Sequence, residues 1–385
     1  MKLENNGKAL PILSFPCTSL IDVNVEDLVR SAELQARGMK AVADAIHARG
    51  FEAGLWLAPF AVAKDSRLIR EHPDWIVGGS EQIRSSGADV FSLDLSHPDA
   101  LRFVGDTFAR VFDEWGFDYV KTDFLQYAVF PGKRYDPTVT TAQLLRRGMA
   151  VIRAAAGDRF ILGCGTPPLP LIGLCDGMRI GADVGSQWSF PLNHPAWPLG
   201  NCSIKPAVRY TVFRHWQHRV LWQNDPDCLV VRDKENGIEG NKFRSWFGGL
   251  PDNDAFGLSD NEAALWAKLI WFTGGMWFLS EDWSALSPAR QALVRLCTRP
   301  NTHPVRVTDC YGNDDVMVME NTDAEGGVRQ FALINIGDTP AAVTLPADRY
   351  GLREWRFRER FGSGSFSGAG DVIVDSALLK LGRTR

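Results

Sequence analysis

The most constraining feature of the sequence is a repeated alternation of short apolar runs with amphipathic stretches, most of them stopped by a glycine. Residues 39–49 (MKAVADAIHAR) place apolar side chains at helical spacing, Gly50 ends them, and the strand-like run 51–60 (FEAGLWLAPF) follows. Residues 98–115 read as helix and stop at Gly116, before the strand 118–124 (DYVKTDF). Helix 144–156 stops at Gly157 and precedes 160–164 (FILGC). Residues 177–180 (GMRI), a helix around 208–221, the strand 227–231 (DCLVV), a helix over 261–272 and the strand 276–279 (MWFL) complete the series. Strands that alternate with helices predict parallel α/β packing. Strand after strand ends at or near a polar or special residue: Trp56, Asp123, Cys164, Asp183, Asp282. A barrel carries its site in this way, on the loops at the strand C-termini. The competing doubly wound sheet lacks its phosphate chemistry, because no G-x-G-x-x-G or P-loop opens any of these helices.

A barrel of ~250 residues takes up most of a 385-residue chain and leaves room for one smaller domain. From about Arg299 helical spacing gives way to alternating runs (316–319, 330–336, 341–345) and turn clusters (312–315, 362–370). The expected partition is a (β/α) barrel over 1–299 and a small antiparallel β domain over 300–385. With 42 basic against 46 acidic residues, the chain lacks the electrostatic footprint of nucleic-acid binding. No apolar run approaches the ~20 residues of a membrane span. The opening MKLENNGKALPIL reads as lacking the apolar core of a secretory signal. Seven scattered cysteines without C-x-x-C speak against a disulfide framework, so a cytoplasmic location is expected. Thirteen tryptophans suit either a heavy aromatic core or sugar-stacking platforms.

Asp123 sits in Y-V-K-T-D-F-L, where an apolar strand runs out. A lone Asp there also serves as a helix N-cap. Lys121, two residues earlier, shares its face of the strand. A cation beside a carboxylate favours the charged form, as a nucleophile or electrostatic stabiliser requires. Arg179 and Asp183 lie in M-R-I-G-A-D-V at another strand end, either as a structural ion pair or as a carboxyl group with a cationic neighbour. Two carboxylates on different strand ends are the minimum set for glycoside hydrolysis, although other proton-transfer chemistry could use the same pair. His215 and His218 lack metal-ligand spacing and read as solvated or packed side chains. Asp225 and Asp227 in N-D-P-D-C read mainly as turn and architectural groups that begin a buried strand. No G-x-S-x-G is present for serine hydrolysis.

Several segments together resemble the melibiase-type α-galactosidases, a glycoside hydrolase family. They are residues 38–60 (GMKAVADAIHARGFEAGLWLAPF), 72–75 (HPDW), 114–125 (EWGFDYVKTDFL), 163–165 (GCG), 178–184 (MRIGADV), 224–228 (NDPDC) and 277–282 (WFLSED). The resemblance implies a retaining mechanism on a (β/α)8-type TIM barrel followed by a β-sandwich. Asp123 falls on the family's nucleophile and Asp183 on its general acid/base. Trp56, Lys121, Cys164 and Arg179 fall on positions that line the galactose subsite. The implied substrate is a small oligosaccharide or glycoside, with no cofactor or metal, no nucleic acid and no membrane; homo-oligomerisation stays open.

The family's first two barrel strands carry a paired Asp-Asp, and no D-D pair occurs here before residue 60. Fewer than 40 residues precede the helix leading into 51–60, whereas a βα unit takes ~30 or more. The barrel is therefore expected to be incomplete at its first strands, with residues 10–15 (LPILSF) paired beside 51–60 and helix 24–49 packed outside. Alternatives are a related α-glycosidase or transglycosylase of different sugar specificity, or an inactive sugar-binding remnant.

Overall fold

The computed structural model describes residues 12–15, 38–64, 66–79, 84–85, 88–189, 203–233, 257–309, 315–322, 329–346, 348, 354–358, 365–369 and 372–375. The chain divides into two compact units, Met1–Arg179 with Leu221–Gln223, and Ile180–Val220 with Asn224–Arg385. The first runs β1 (Ile12–Phe15), α1 (Met39–His47), β2 (Glu52–Leu57), β3 (Ala61–Ala63), α2 (Arg67–Glu71), β4 (Arg84–Ser85) and β5 (Ala88–Ser92). It continues through α3 (Pro98–Ala109), β6 (Tyr119–Thr122), α4 (Thr141–Ala156), β7 (Phe160–Gly163) and β8 (Gly177–Arg179).

Its centre is a parallel sheet in the order β1-β2-β6-β7-β8, with β9 (Gln223–Asp225) beyond β8. Ile12 pairs with Glu52 and Phe15 with Leu55, so the run upstream of α1 lies beside β2 as its composition predicts. Residues 24–37, where helix is expected, lie outside the described residues; helix α1 itself begins at Met39, because Gly38 (φ 92°) breaks the helical path expected to run through 24–49. Branched and aromatic side chains cover the strands: Leu55, Val120 and Ile161 share one cluster with Val104 and Phe108 of α3 and Leu144, Leu145 and Met149 of α4. Helix α4 starts at a reciprocal cap in which the Thr140 hydroxyl accepts from Gln143 N–H and the Gln143 side chain accepts from Thr140 N–H. Helix α3 takes Pro98 in its first turn, where a missing N–H costs nothing, and runs into a π turn over Arg110–Glu114.

Between β2 and α3 the structure adds an excursion that periodicity did not reveal. Strand β5 pairs antiparallel with β3 and with β4, through Ala61–Ser92 and Arg84–Asp89. Its strands are two to five residues long, too short to carry a repeat.

The second unit contains α5 (Ile204–Phe213), β10 (Cys228–Leu229), α6 (Asp260–Thr273), β11 (Phe278–Leu279), α7 (Pro288–Cys297), β12 (Val305–Asp309), β13 (Val316–Thr322) and β14 (Arg329–Asn335). These are followed by β15 (Ala342–Leu345), β16 (Glu354–Arg358), β17 (Ser365–Ala369) and β18 (Val372–Asp375). Strands β10 and β11 pair in parallel, and β12-β13-β14 form an antiparallel sheet. Helix α6 is buried along nearly its whole length, and its Trp266 and Ile270 join Met317, Met319 and Ile334 of that sheet in one core. Strand pairs β15–β18 and β16–β17 are also antiparallel.

Three sequence expectations are corrected here. The helix expected around 208–221 begins earlier and stops at Phe213, with a separate 3-10 turn over His215–Gln217. Pro206 in the first turn is tolerated because its N–H would have no intrahelical partner. The strand expected over 227–231 is only β10, Cys228–Leu229, and Pro226 and the left-handed Asp227 (φ 81°) part it from the preceding β9. The glycine-rich stretch 362–370 carries strand β17, whose pairing with β16 overrides its weak local strand preference. Among the described residues, no helix is long and apolar enough to cross a membrane.

Candidate active site

The first unit gathers five of the six singled-out residues at the carboxyl ends of neighbouring parallel strands. Trp56 of β2 is the register partner of Lys121 of β6, so both side chains project from the same face. Asp123 lies two residues beyond Lys121, on that face, just past the strand end. Its N–H still donates to the Leu57 carbonyl at 2.8 Å, as Cys164 N–H does to Thr122 at 2.9 Å. Each strand is thus prolonged by one hydrogen bond before its loop departs.

The half-buried Asp123 carboxylate is held by two donors on different oxygens. The Trp56 indole Nε1–H donates to Oδ2 at 3.0 Å, and the Phe124 backbone N–H donates to Oδ1 at 2.6 Å. Phe124 adopts a left-handed conformation (φ 51°), uncommon for a bulky residue, which turns its N–H back onto the carboxylate. Its ring packs edge-on against Trp56 at 6.0 Å.

Cys164 and Arg179 complete the cluster. Arg179 is 8% exposed and its Nη1 lies 3.9 Å from the Cys164 sulfur. Burial pushes the Cys164 thiol up far beyond its ordinary range; the Arg179 and Lys121 charges pull it down, and neighbouring Asp123 adds to the rise. The thiol stays protonated and is no nucleophile at neutral pH.

Gly165 shows why the G-C-G sequence closes here. A Cβ at this position would lie 2.7 Å from Gln126 Oε1 and 3.1 Å from Asp123 Oδ1, and the backbone is left-handed at φ 61°. Gln126 N–H donates to the Gly165 carbonyl at 2.7 Å, tying the loop after β6 to the loop after β7. Sequence reasoning missed Phe124, Gln126 and Gly165 as parts of the site; the nearest signal was Gly165, a glycine directly after a strand-end cysteine.

Asp183 belongs to the second unit and is exposed, on the segment that follows β8. That segment is anchored on both sides. Ile180 N–H donates to the Asp225 carbonyl at 2.9 Å, and Val184 N–H to Asp227 Oδ2 at 2.7 Å. Asp225 in turn accepts from Asp227 N–H at 2.8 Å, so both carboxylates of N-D-P-D-C bond to main chain. His215 and His218 are packed inside this unit, and burial brings both imidazoles down to about 4.

Residues 22–146 match the family model described as Melibiase. The α-galactosidase AgaA of Geobacillus stearothermophilus is 33% identical over 86 residues, 22% of this chain and 12% of that protein. Among solved structures, the α-galactosidase TtGalA of Thermus thermophilus, in complex with p-nitrophenyl α-D-galactopyranoside, matches with a TM-score of 0.57 and 29% identity. The match covers 72% of this chain and 53% of that one. α-Galactosidase I of Mortierella vinacea shares the fold at a TM-score of 0.57 and 18% identity, over 88% of this chain and 77% of its own. The chain thus spans about half the length of the Thermus enzyme and a small part of the curated relative.

Proposed function

We propose that this chain, which belongs to the melibiase-type family of α-galactosidases, is a retaining glycoside hydrolase releasing terminal α-linked galactose from small oligosaccharides. The observation that carries the reading is the Asp123 carboxylate fixed by the Trp56 indole and beside Cys164, the thiol that Lys121 and Arg179 also neighbour. In the proposed mechanism an Asp123 oxygen attacks the anomeric carbon, the glycosidic bond breaks, and the leaving oxygen takes a proton from Asp183. Asp183 then removes a proton from water, whose oxygen displaces Asp123 and gives α-galactose. Two displacements on opposite faces restore the starting configuration. Trp56, Lys121, Cys164 and Arg179 line the galactose subsite in this reading. The same reading extends the parallel sheet to a (β/α)8 barrel over residues 1–299, followed by a β-sandwich over 300–385.

Proton NMR of p-nitrophenyl α-galactoside hydrolysis tests the proposal. α-Galactose should appear first and mutarotate later; β-galactose first, or no release, overturns it. Asp183→Ala should slow raffinose far more than the aryl galactoside, since only the poorer leaving group needs a proton. Equal losses would remove Asp183 from the acid/base role.

A further inference from the structure

Two loops of the first unit are locked to each other at the end of the sheet that bears Asp123. One comprises residues 58–97 between β2 and α3; the other comprises 123–140 between β6 and α4. Both leave the carboxyl ends of adjacent parallel strands, the face on which barrels bind their ligands. Gly78 and Lys133 exchange two backbone hydrogen bonds, at 2.9 and 2.8 Å. The approach is so close that a Cβ on Gly132 would sit 2.4 Å from Val77 Cγ1.

The same two loops are joined again at Asp94, only 1% exposed. Its Oδ1 accepts from Ser96 N–H at 2.9 Å and from the Ser96 hydroxyl at 2.6 Å, with Arg134 Nη1 at 3.6 Å. Its Oδ2 accepts the backbone N–H of Tyr135 at 2.6 Å. Arg134 donates onward to the Ala128 and Phe130 carbonyls at 3.2 and 2.7 Å. A buried carboxylate is costly unless its lone pairs are satisfied, and here its bonds fix one loop position. That position displays Tyr135, which is 64% exposed, with its ring packed edge-on against His97 at 4.6 Å. An exposed aromatic on such a rigid mount loses little conformational entropy when a ligand packs on it.

We propose that Tyr135 is the contact residue of a preorganised acceptor-side subsite, stacking the sugar ring attached to the galactose that is released. The inference rests on the reading under Proposed function. The Asp94–Arg134 network acts as its positioning device. Residual exposure and rigidity together suit the apolar face of a pyranose, which can be held without a matched set of polar partners.

The test compares raffinose with α-galactosyl fluoride, whose leaving group has no ring to stack. For Tyr135→Ala, the ratio of raffinose to fluoride kcat/KM should fall about tenfold, the upper end expected for one aromatic contact. Tyr135→Phe keeps the ring and should hold the ratio near that of the parent. Parallel changes for both substrates, or an unchanged ratio in Tyr135→Ala, overturn the inference while leaving the galactosidase reading intact. A parent enzyme that releases galactose from neither substrate sinks both.

Discussion

The strand-end cluster of the first unit and the Arg232–Glu281 cluster of the second both hold charge out of water, yet they use it differently. Glu281 is 2% exposed at its side chain, and its Oε1 accepts backbone N–H groups of Val231 and Arg232 at 2.6 and 3.0 Å. Its Oε2 accepts from Arg232 Nε at 2.9 Å, while nearby Arg290 donates to the Val231 and Leu258 carbonyls at 2.9 and 2.8 Å. Burial raises the Glu281 pKa, and the Arg232 charge and these donors pull it back. Here charge holds main chain together. Around Asp123 the charged and polar groups face one another instead, and the carboxylate keeps part of its surface. Burial with saturation marks architecture; partial exposure with a few fixed donors marks a group that can react.

That contrast can be broken from either side. Asp123→Ala is expected to lower kcat by about 10⁴-fold or more, as loss of a nucleophile does, with thermal unfolding close to the parent. External azide should restore turnover in part and yield β-galactosyl azide, read by NMR. A large loss of folding stability in this variant would make Asp123 architectural and erase the contrast. On the other side, Glu281→Ala strands the Arg232 charge and two N–H groups, and should cost about 3–5 kcal/mol in denaturant unfolding. A stable but inactive Glu281→Ala protein would reverse the two roles.

A smaller effect separates the units by pH. His215 and His218 have folded values of about 4, below the ordinary 6.5, because burial disfavours the charged ring and the Arg219 charge pushes each further down. The unfolded chain binds the extra protons, so their contribution is fully present above pH 6.5 and is lost as pH falls toward 4. His215→Asn should remove roughly 2–3 kcal/mol of that fall, measured by urea unfolding at pH 7 and pH 4.5. An unchanged pH slope would place the acid sensitivity elsewhere. The mildest test is Gly165→Ala, whose methyl meets Gln126 and Asp123. Displacing the carboxylate by a fraction of an ångström should lower kcat about tenfold to a hundredfold, with little change in KM.

Much of the candidate site was legible in residue order. Lys121 and Asp123 share a face because side chains alternate along a strand, and that holds before any packing is known. Glycine stops and helical spacing located α1, α3, α4 and α6 for the same local reason. The excursion β3–β5 was not legible, because its short strands are specified by antiparallel partners up to 31 residues away (Ala61 with Ser92). Asp94 illustrates the same limit: D-x-S predicts a local turn, but not the bond to Tyr135 41 residues on.

The sequence by itself determined the α/β alternation, the strand ends that bear Trp56, Asp123, Cys164 and Arg179, and the shift to antiparallel strands after residue 299. Each follows from side-chain period and local backbone preference, which act over a few residues. Only the tertiary structure decided that Trp56 donates to Asp123, that Cys164 is kept a neutral thiol, and that two loops lock to display Tyr135. Those outcomes depend on register between strands distant in the chain and on exclusion of water. Neither is encoded at any single position.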